Sequence, residues 1–194
     1  WRGAGGLSYR RRGHAVLAPE RTEVERPARE QRARLIHRLD KDTSGLMVFA
    51  LTATAQRHVG LQFEKRMVRK TYQARVWGHL AGTHGVVDLP LATDPDRRPA
   101  QRIDLTGGRT ALTHWRVMAR EAAHTRLELF PLTGRSHQLR VHMKALGHPI
   151  LGDVIYAPPA AVASAPRLQL HAAELAIRHP LGGAWLQFLA PCPF

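Results

Sequence analysis

Cysteine is nearly absent from this chain of 194 residues, which carries only Cys192. A single thiol excludes an intramolecular disulfide and any site that needs two thiolates. There is also no run of about 18 apolar residues, and the arginine-rich N-terminus has no apolar core segment, so we expect neither a membrane span nor a signal peptide. The cytoplasm is therefore the expected compartment.

Acidic residues are scarce as well, with 15 Asp and Glu against 29 Lys and Arg, which gives a formal net charge of +14. The excess is spread over the whole chain, which favours a broad basic surface and a polyanionic partner, nucleic acid first. An anionic membrane surface is the competing partner, and a genome that favours arginine accounts for part of the bias. The apolar fraction of 44% is enough to build the core of a single domain.

Residues 1–34 show no sustained periodicity, and we predict a poorly defined segment of loop with at most one short helix. The stretch from Glu23 to Leu35 resembles a charged surface helix, but Pro27 interrupts it. The organised part of the chain is predicted to begin at residue 35 and to continue to residue 194 as one domain.

An ionisable pair lies just before a short polar turn. Residues 35–40 and 46–51 are predicted to be strands that flank this turn. Arg38 and Asp40, two residues apart, would lie on the same face of the first strand. On this stretch alone the pair is either a surface ion pair or part of a ligand site at the edge of a sheet.

Further strands follow, and they predict an α+β fold with a mixed, largely antiparallel sheet, flanking helices and a central cleft. A helix is expected from Thr52 to about Lys65. Residues 69–77 alternate cleanly and place Lys70 and Tyr72 on one face, where Tyr72 is either a core aromatic or a ring presented to a base. The other predicted strands are residues 110–118, 125–130, 168–177 and 184–189.

A second informative segment begins at Thr133, which can cap a helix from about Arg135 to Gly147. Arg140 falls at the edge of the apolar side of this helix. A partly buried guanidinium needs a carboxylate partner, and its planar fork is suited to binding one. We therefore expect Arg140 to pair with an acidic side chain.

Three stretches in this order and spacing, residues 37–45, 70–72 and 134–142, resemble the motifs of the RluA family of pseudouridine synthases. The resemblance continues through residues 147–153 and 166–180, and it is strongest to short members of the family, which lack a separate S4-like RNA-binding domain. Family members usually have a strand and turn before the catalytic motif, and residues 4–8 match this pattern only weakly. We expect the catalytic body to find its own RNA.

The resemblance implies isomerisation of uridine to pseudouridine, with no cofactor and no metal. Asp40 matches the catalytic aspartate, which either attacks C1′ or removes a ribose proton to give a glycal. Arg140 matches the arginine that pairs with it, and Arg38 matches the residue that replaces the flipped nucleotide. Tyr72 matches the tyrosine that stacks on the target base and can assist removal of the proton from C5. The remaining matches to the family motifs are expected to contact RNA: His37, Lys70, Arg135 and His137.

The resemblance also implies the partner, a stem-loop present in both 23S rRNA and the tRNA anticodon arm. We expect a monomer that needs no protein partner. A non-catalytic RNA-binding protein of the same fold is the main alternative. A zinc base deaminase is disfavoured because that chemistry needs at least two cysteine ligands and the chain has one. A methyltransferase is disfavoured because no glycine-rich strand-to-helix loop is present.

Overall fold

The computed structural model describes residues 33–194 and, upstream of them, the backbone of three short strands. The chain divides into two compact units, each assembled from separate segments. The first unit consists of Trp1–Leu39, Gly45–Arg69 and Ala173–Pro191. The second unit consists of Asp40–Ser44, Lys70–Ala172 and Cys192–Phe194.

The secondary structure elements of the described residues are numbered here in chain order. The strands are β1 (Arg2–Gly3), β2 (Leu7–Arg10), β3 (His14–Leu17), β4 (Arg34–Leu35), β5 (Ser44–Gly45), β6 (Met47–Ala50), β7 (Arg69–Trp77), β8 (His84–Asp88), β9 (Leu91–Thr93), β10 (Gln101–Ile103), β11 (Leu112–Arg120), β12 (His124–Pro131), β13 (Leu170–Arg178) and β14 (Trp185–Leu189). The helices are α1 (Ala53–Glu64), α2 (Gln138–Ala145) and α3 (Pro159–Ala163).

The first unit contains a sheet in the order β1-β2-β3-β6-β4. Strands β3 and β6 are parallel, whereas the other neighbours are antiparallel. The Thr52 hydroxyl accepts a hydrogen bond from the Ala55 N–H and starts α1, as the sequence predicts. Seven buried side chains among the described residues of this unit form a shared hydrophobic core: Leu46, Val48, Val59, Val68, Leu175, Ile177 and Ala190.

The second unit is built on antiparallel strands in the order β7-β12-β11-β8. The predicted strand at residues 69–77 is confirmed as β7, and the predicted hairpin is confirmed as β11 and β12. Ala74 and Val76 of β7 share a buried core with Leu139 and Met143 of α2. The α+β prediction with a mixed, largely antiparallel sheet is confirmed, while the RNA-binding cleft stays a prediction.

The prediction for the start of α2 is wrong, because the helix begins at Gln138 rather than at about Arg135. The Thr133 hydroxyl does not cap it. That hydroxyl accepts a hydrogen bond from the Leu112 N–H and donates to Gln138 Oε1. The residue before the helix, His137, instead has a left-handed backbone with φ of 54°.

Two predictions at the N-terminal side also need correction. Only Arg34–Leu35 forms a strand near residues 35–40, and the residues up to Asp40 are irregular. The loop expected for residues 1–34 is wrong where the backbone is described, because β1, β2 and β3 form an antiparallel ladder there. The short helix expected from residue 23 falls largely outside the described residues.

Candidate active site

Asp40 begins a short segment, Asp40–Ser44, that belongs to the second unit. The Asp40 carbonyl accepts a hydrogen bond from the Thr43 N–H at 3.0 Å, which closes a turn. At the far end of the segment, the Ser44 hydroxyl bonds to His171 Nδ1 at 2.9 Å and accepts from Arg167 Nη1 at 3.1 Å. The segment is therefore anchored at Ser44, while the Asp40 side chain keeps 21% of its surface exposed.

Arg140 of α2 is buried and faces two carboxylates. Its Nε and Nη2 atoms donate to the two carboxylate oxygens of Asp153, at 2.8 Å and 2.6 Å. Its Nη1 atom lies 3.9 Å from Asp40 Oδ2. The structure thus brings Arg140 and Asp40 together, but the hydrogen-bonded partner of the guanidinium is Asp153, which the sequence analysis did not single out.

The charges around Arg140 keep it protonated. Burial lowers the pKa of Arg140, but the hydrogen bonds and the negative charge of Asp153, followed by the charge of Asp40, raise it above its ordinary value. Asp153 is itself held by N–H groups of Ile155 and Tyr156, which donate to Oδ1 at 3.0 Å and 3.2 Å. The fixed bidentate pair therefore sets the position at which the guanidinium meets Asp40.

Tyr72 and Lys70 lie on the same face of β7, as the alternation predicts. Tyr72 packs against the core of the second unit, and burial together with the negative charge of Asp40 raises its pKa to about 12. The Lys70 Nζ atom donates to the Thr133 carbonyl at 3.4 Å, and burial lowers the pKa of Lys70 to about 8. The phenol is therefore protonated at neutral pH, whereas Lys70 is near its titration range.

His37 and Arg38 lie in the first unit. His37 Nε2 accepts a hydrogen bond from the Val48 N–H at 2.9 Å, and its ring stacks on Phe63 with centroids 4.6 Å apart. His37 is thus fixed within the unit by internal contacts. The Arg38 side chain is exposed.

Arg135 and His137, the two other predicted RNA contacts, both have partners inside the second unit. Arg135 Nε donates to the Thr110 carbonyl at 3.0 Å. His137 Nδ1 bonds to the Tyr156 hydroxyl at 2.7 Å, and the two rings meet edge to face. Both side chains are half-buried, so their internal contacts hold the chain just before α2 in place.

Tyr156 is a further residue beside Arg140, and the sequence motifs do not include it. The Arg140 guanidinium lies 5.0 Å from the centroid of the Tyr156 ring, which is cation–π distance. The Tyr156 hydroxyl also accepts a hydrogen bond from the Gln101 N–H at 2.7 Å. No local pattern marks this residue, because its contacts come from distant segments; only its position three residues after Asp153 hints at a shared role.

Across residues 33–194 and the three N-terminal strands, no three His, Cys, Asp or Glu side chains lie close enough together to hold a metal ion. Among the helices of that same part, none is long and apolar enough to cross a membrane.

Comparison with known proteins gives consistent results. A family model described as RNA pseudouridylate synthase matches residues 5–145, so the match begins upstream of the first motif. The dual-specificity RNA pseudouridine synthase RluA of Pasteurella multocida is 55% identical over 159 residues, which cover 81% of this chain and 73% of that protein. The protein of the same name from Escherichia coli is 52% identical over 163 residues, covering 84% and 74%.

Solved structures of human proteins are similar as well. Human RNA pseudouridylate synthase domain containing 1 matches with a TM-score of 0.74 and 31% identity, over 84% of this chain and 70% of that chain. Human RNA pseudouridylate synthase domain containing 4 matches with a TM-score of 0.69 and 28% identity, over 83% and 72%.

Proposed function

We propose that this chain, which belongs to the RluA family of RNA pseudouridine synthases, isomerises uridine in a stem-loop shared by 23S rRNA and the tRNA anticodon arm. Membership confirms the family predicted from the motifs, and with it an isomerase that acts on RNA. The dual specificity in the names of relatives that are 55% and 52% identical supports two RNA substrates for this chain too.

One observation carries the assignment of the catalytic residue. Asp40 is a partly exposed carboxylate 3.9 Å from the guanidinium of Arg140. The side-chain hydrogen bonds of that guanidinium go to the fully buried Asp153, so Arg140 is held rigidly. A carboxylate that substrate can reach, next to a fixed cation, is suited to nucleophilic or proton-transfer chemistry.

The reaction breaks the bond between ribose C1′ and uracil N1, turns the uracil and joins C5 to C1′; C5 loses its proton and N1 gains one, so the product is an isomer of the substrate. Asp40 either attacks C1′ and is released when C5 bonds there, or takes a ribose proton to give a glycal and returns it. In either route, Arg140 attracts the Asp40 carboxylate and fixes its orientation toward the ribose.

Tyr72 and Lys70 would handle the base and the backbone of the target nucleotide. Because the pKa of Tyr72 is about 12, its phenol keeps its proton at neutral pH and offers a flat apolar ring for stacking with the uracil. Lys70, with a pKa of about 8, is mostly charged at pH 7 and can attract a phosphate.

Arg38 would replace the target nucleotide after it leaves the RNA stack. Unstacking a base costs a few kcal/mol, and an exposed arginine can fill the gap and offset part of that cost. Arg38→Ala should then slow turnover on a folded stem-loop more than on an RNA whose target uridine is already unstacked. Equal losses of kcat on the two substrates would contradict this role.

The decisive experiment is the substitution Asp40→Asn. Release of tritium from C5-labelled uridine in the stem-loop should be abolished, whereas binding of the same RNA survives. Asp42→Asn, the same chemical change at an exposed position two residues along the turn, is the matched control and should stay active. An Asp40→Asn protein as active as this control would refute the assignment.

The RNA targets can be tested in cells. Mapping of pseudouridine in 23S rRNA and in tRNA from cells that lack this protein should show one missing site in each RNA. Loss in only one RNA would refute dual specificity for this chain. We also propose that it acts as a monomer in the cytoplasm, where both RNAs are found, and light scattering after size-exclusion chromatography checks the monomer.

A further inference from the structure

A cavity of about 200 Å³ opens on the second unit, between α2 and the loop that joins β9 to β10. Its lining includes the buried side chains of Val141 and Tyr156, which give it an apolar floor. Three exposed cationic side chains also line it: Arg97, Arg102 and Lys144. None of these three has a part in the mechanism described above.

The charge of this cavity is unbalanced. Asp94 is the single carboxylate in the lining, and its Oδ1 atom already accepts a hydrogen bond from the Asp96 N–H at 3.1 Å. Arg102 lies 3.9 Å from Asp104, a distance that gives an exposed pair little stability. The cavity therefore presents a positive rim, which attracts an anion.

Tyr156 links this cavity to the active site. Its side chain lines the cavity, and its ring has the Lys144 ammonium at 5.8 Å and the Arg140 guanidinium at 5.0 Å from the centroid. Arg140 is the residue that meets Asp40. A ligand in the cavity would thus lie against the same ring that supports the Arg140 guanidinium.

We propose that this cavity binds a nucleotide of the substrate RNA that flanks the target uridine. An apolar aromatic floor suits a nucleobase, and a rim of Arg97, Arg102 and Lys144 suits its phosphate. The inference rests on the proposed function, because it names how the same RNA is held. An acidic peptide would satisfy the rim equally well, but a base fits the apolar floor better.

Charge reversal tests the rim. Binding of the stem-loop is measured in the inactive Asp40→Asn protein, so that turnover does not interfere. Arg97→Glu should raise the Kd about tenfold or more and make it less sensitive to salt. Arg57→Glu is the matched control, because Arg57 is an exposed arginine on α1 and undergoes the same change of charge. This control should raise the Kd no more than about threefold.

Filling the cavity tests the floor without changing any charge. Ala145 is an exposed residue of the lining, and Ala145→Phe places a ring in the space proposed for the base. The Kd for the stem-loop should rise about fivefold. Ala53→Phe, at an exposed alanine in the first turn of α1, adds the same bulk elsewhere and should leave the Kd unchanged.

The two pairs of variants decide the question. The nucleotide site is refuted if Arg97→Glu raises the Kd for the stem-loop no more than Arg57→Glu does. It is also refuted if Ala145→Phe raises this Kd no more than Ala53→Phe does. Tritium release by the otherwise unmodified protein on the same RNA is measured in parallel. Absence of tritium release would overturn the proposed function. If tritium is released but the cavity variants bind the RNA as tightly as their controls, the cavity inference alone is overturned.

Discussion

Two carboxylates share the guanidinium of Arg140, and they differ in how much water reaches them. The Asp153 side chain is fully buried and makes both short hydrogen bonds, whereas Asp40 is partly exposed and lies at 3.9 Å. A buried ion pair costs a large desolvation penalty and is stable only when both partners are present. We therefore assign structural anchoring to Asp153, and the partial exposure of Asp40 fits the catalytic role that we propose for it.

This division predicts that the same substitution, Asp to Asn, lowers the stability much more at position 153 than at position 40. Asp153→Asn should lower the free energy of unfolding by roughly 3 kcal/mol, because it leaves the buried Arg140 charge uncompensated. Asp40→Asn should change it by less than about 1 kcal/mol, as for an exposed pair. Denaturant unfolding measures both, and equal losses of stability would contradict the division.

Lys70 predicts a pH dependence of stability. Burial lowers its pKa from 10.5 to about 8 in the folded chain. Below about pH 8 both states are charged, and the folded state bears the full cost of burying the charge, roughly 3 kcal/mol. As the pH rises through this pKa the folded state loses the proton first, so the cost falls and disappears near pH 10.5.

Lys70→Met should accordingly be more stable than the parent protein at about pH 7, with an advantage that shrinks toward pH 10. Denaturant unfolding at several pH values measures the difference. Lys65→Met, at an exposed lysine that follows α1, controls for removal of a positive charge. A difference that does not change with pH would contradict the effect of burial.

At the residue scale, the resemblance to the family predicts that Asp40 and Arg140 meet, but it does not predict Asp153 as the anchor. The motifs place the first two at recognisable spacings. Asp153 lies beyond the end of α2, and its approach to Arg140 depends on the path of the intervening loop. A carboxylate after a glycine is a common turn signal, so its sequence context does not distinguish a buried anchor from a surface turn.

At the element scale, the two longer helices differ in what starts them. α1 starts from a local signal, the Thr52 side chain that caps the Ala55 N–H, and its bounds are predicted closely. The start of α2 depends on contacts with a distant strand, because the Thr133 hydroxyl hydrogen-bonds to Leu112 and Gln138 instead of capping the helix. A capping residue in the sequence cannot reveal that its side chain has another partner.

Gln138 should therefore contribute more to stability than the cap of α1. It is buried and makes four hydrogen bonds, with Thr133, Arg135, Leu112 and Thr113. Gln138→Leu removes all four bonds, including the acceptor of the Thr133 hydroxyl and of the Arg135 N–H, and should cost roughly 2–4 kcal/mol, against about 1 kcal/mol for Thr52→Ala. Thermal unfolding compares the two, and a larger loss for Thr52→Ala would contradict this ranking.

At the scale of the whole molecule, the sequence predicts the α+β class but not the strands upstream of residue 34. β3 is parallel to β6, and the two strands are far apart in the sequence, so no local sequence pattern predicts that they pair. The strands themselves are short and contain arginine, glycine and serine, which are not typical strand residues. Strands whose partners are distant in sequence are visible only once the tertiary structure is known.

Neither unit is a continuous stretch of sequence, and this affects how the gene can be exchanged. The chain enters the second unit at Asp40, leaves it after Ser44, and returns at Lys70 for the long segment that holds Tyr72 and Arg140. A recombination event that replaced only residues 70–172 would combine Tyr72, Arg140 and Asp153 from one parent gene with Asp40 from the other. Homologous genes can therefore trade the site intact only in a block that begins upstream of Asp40.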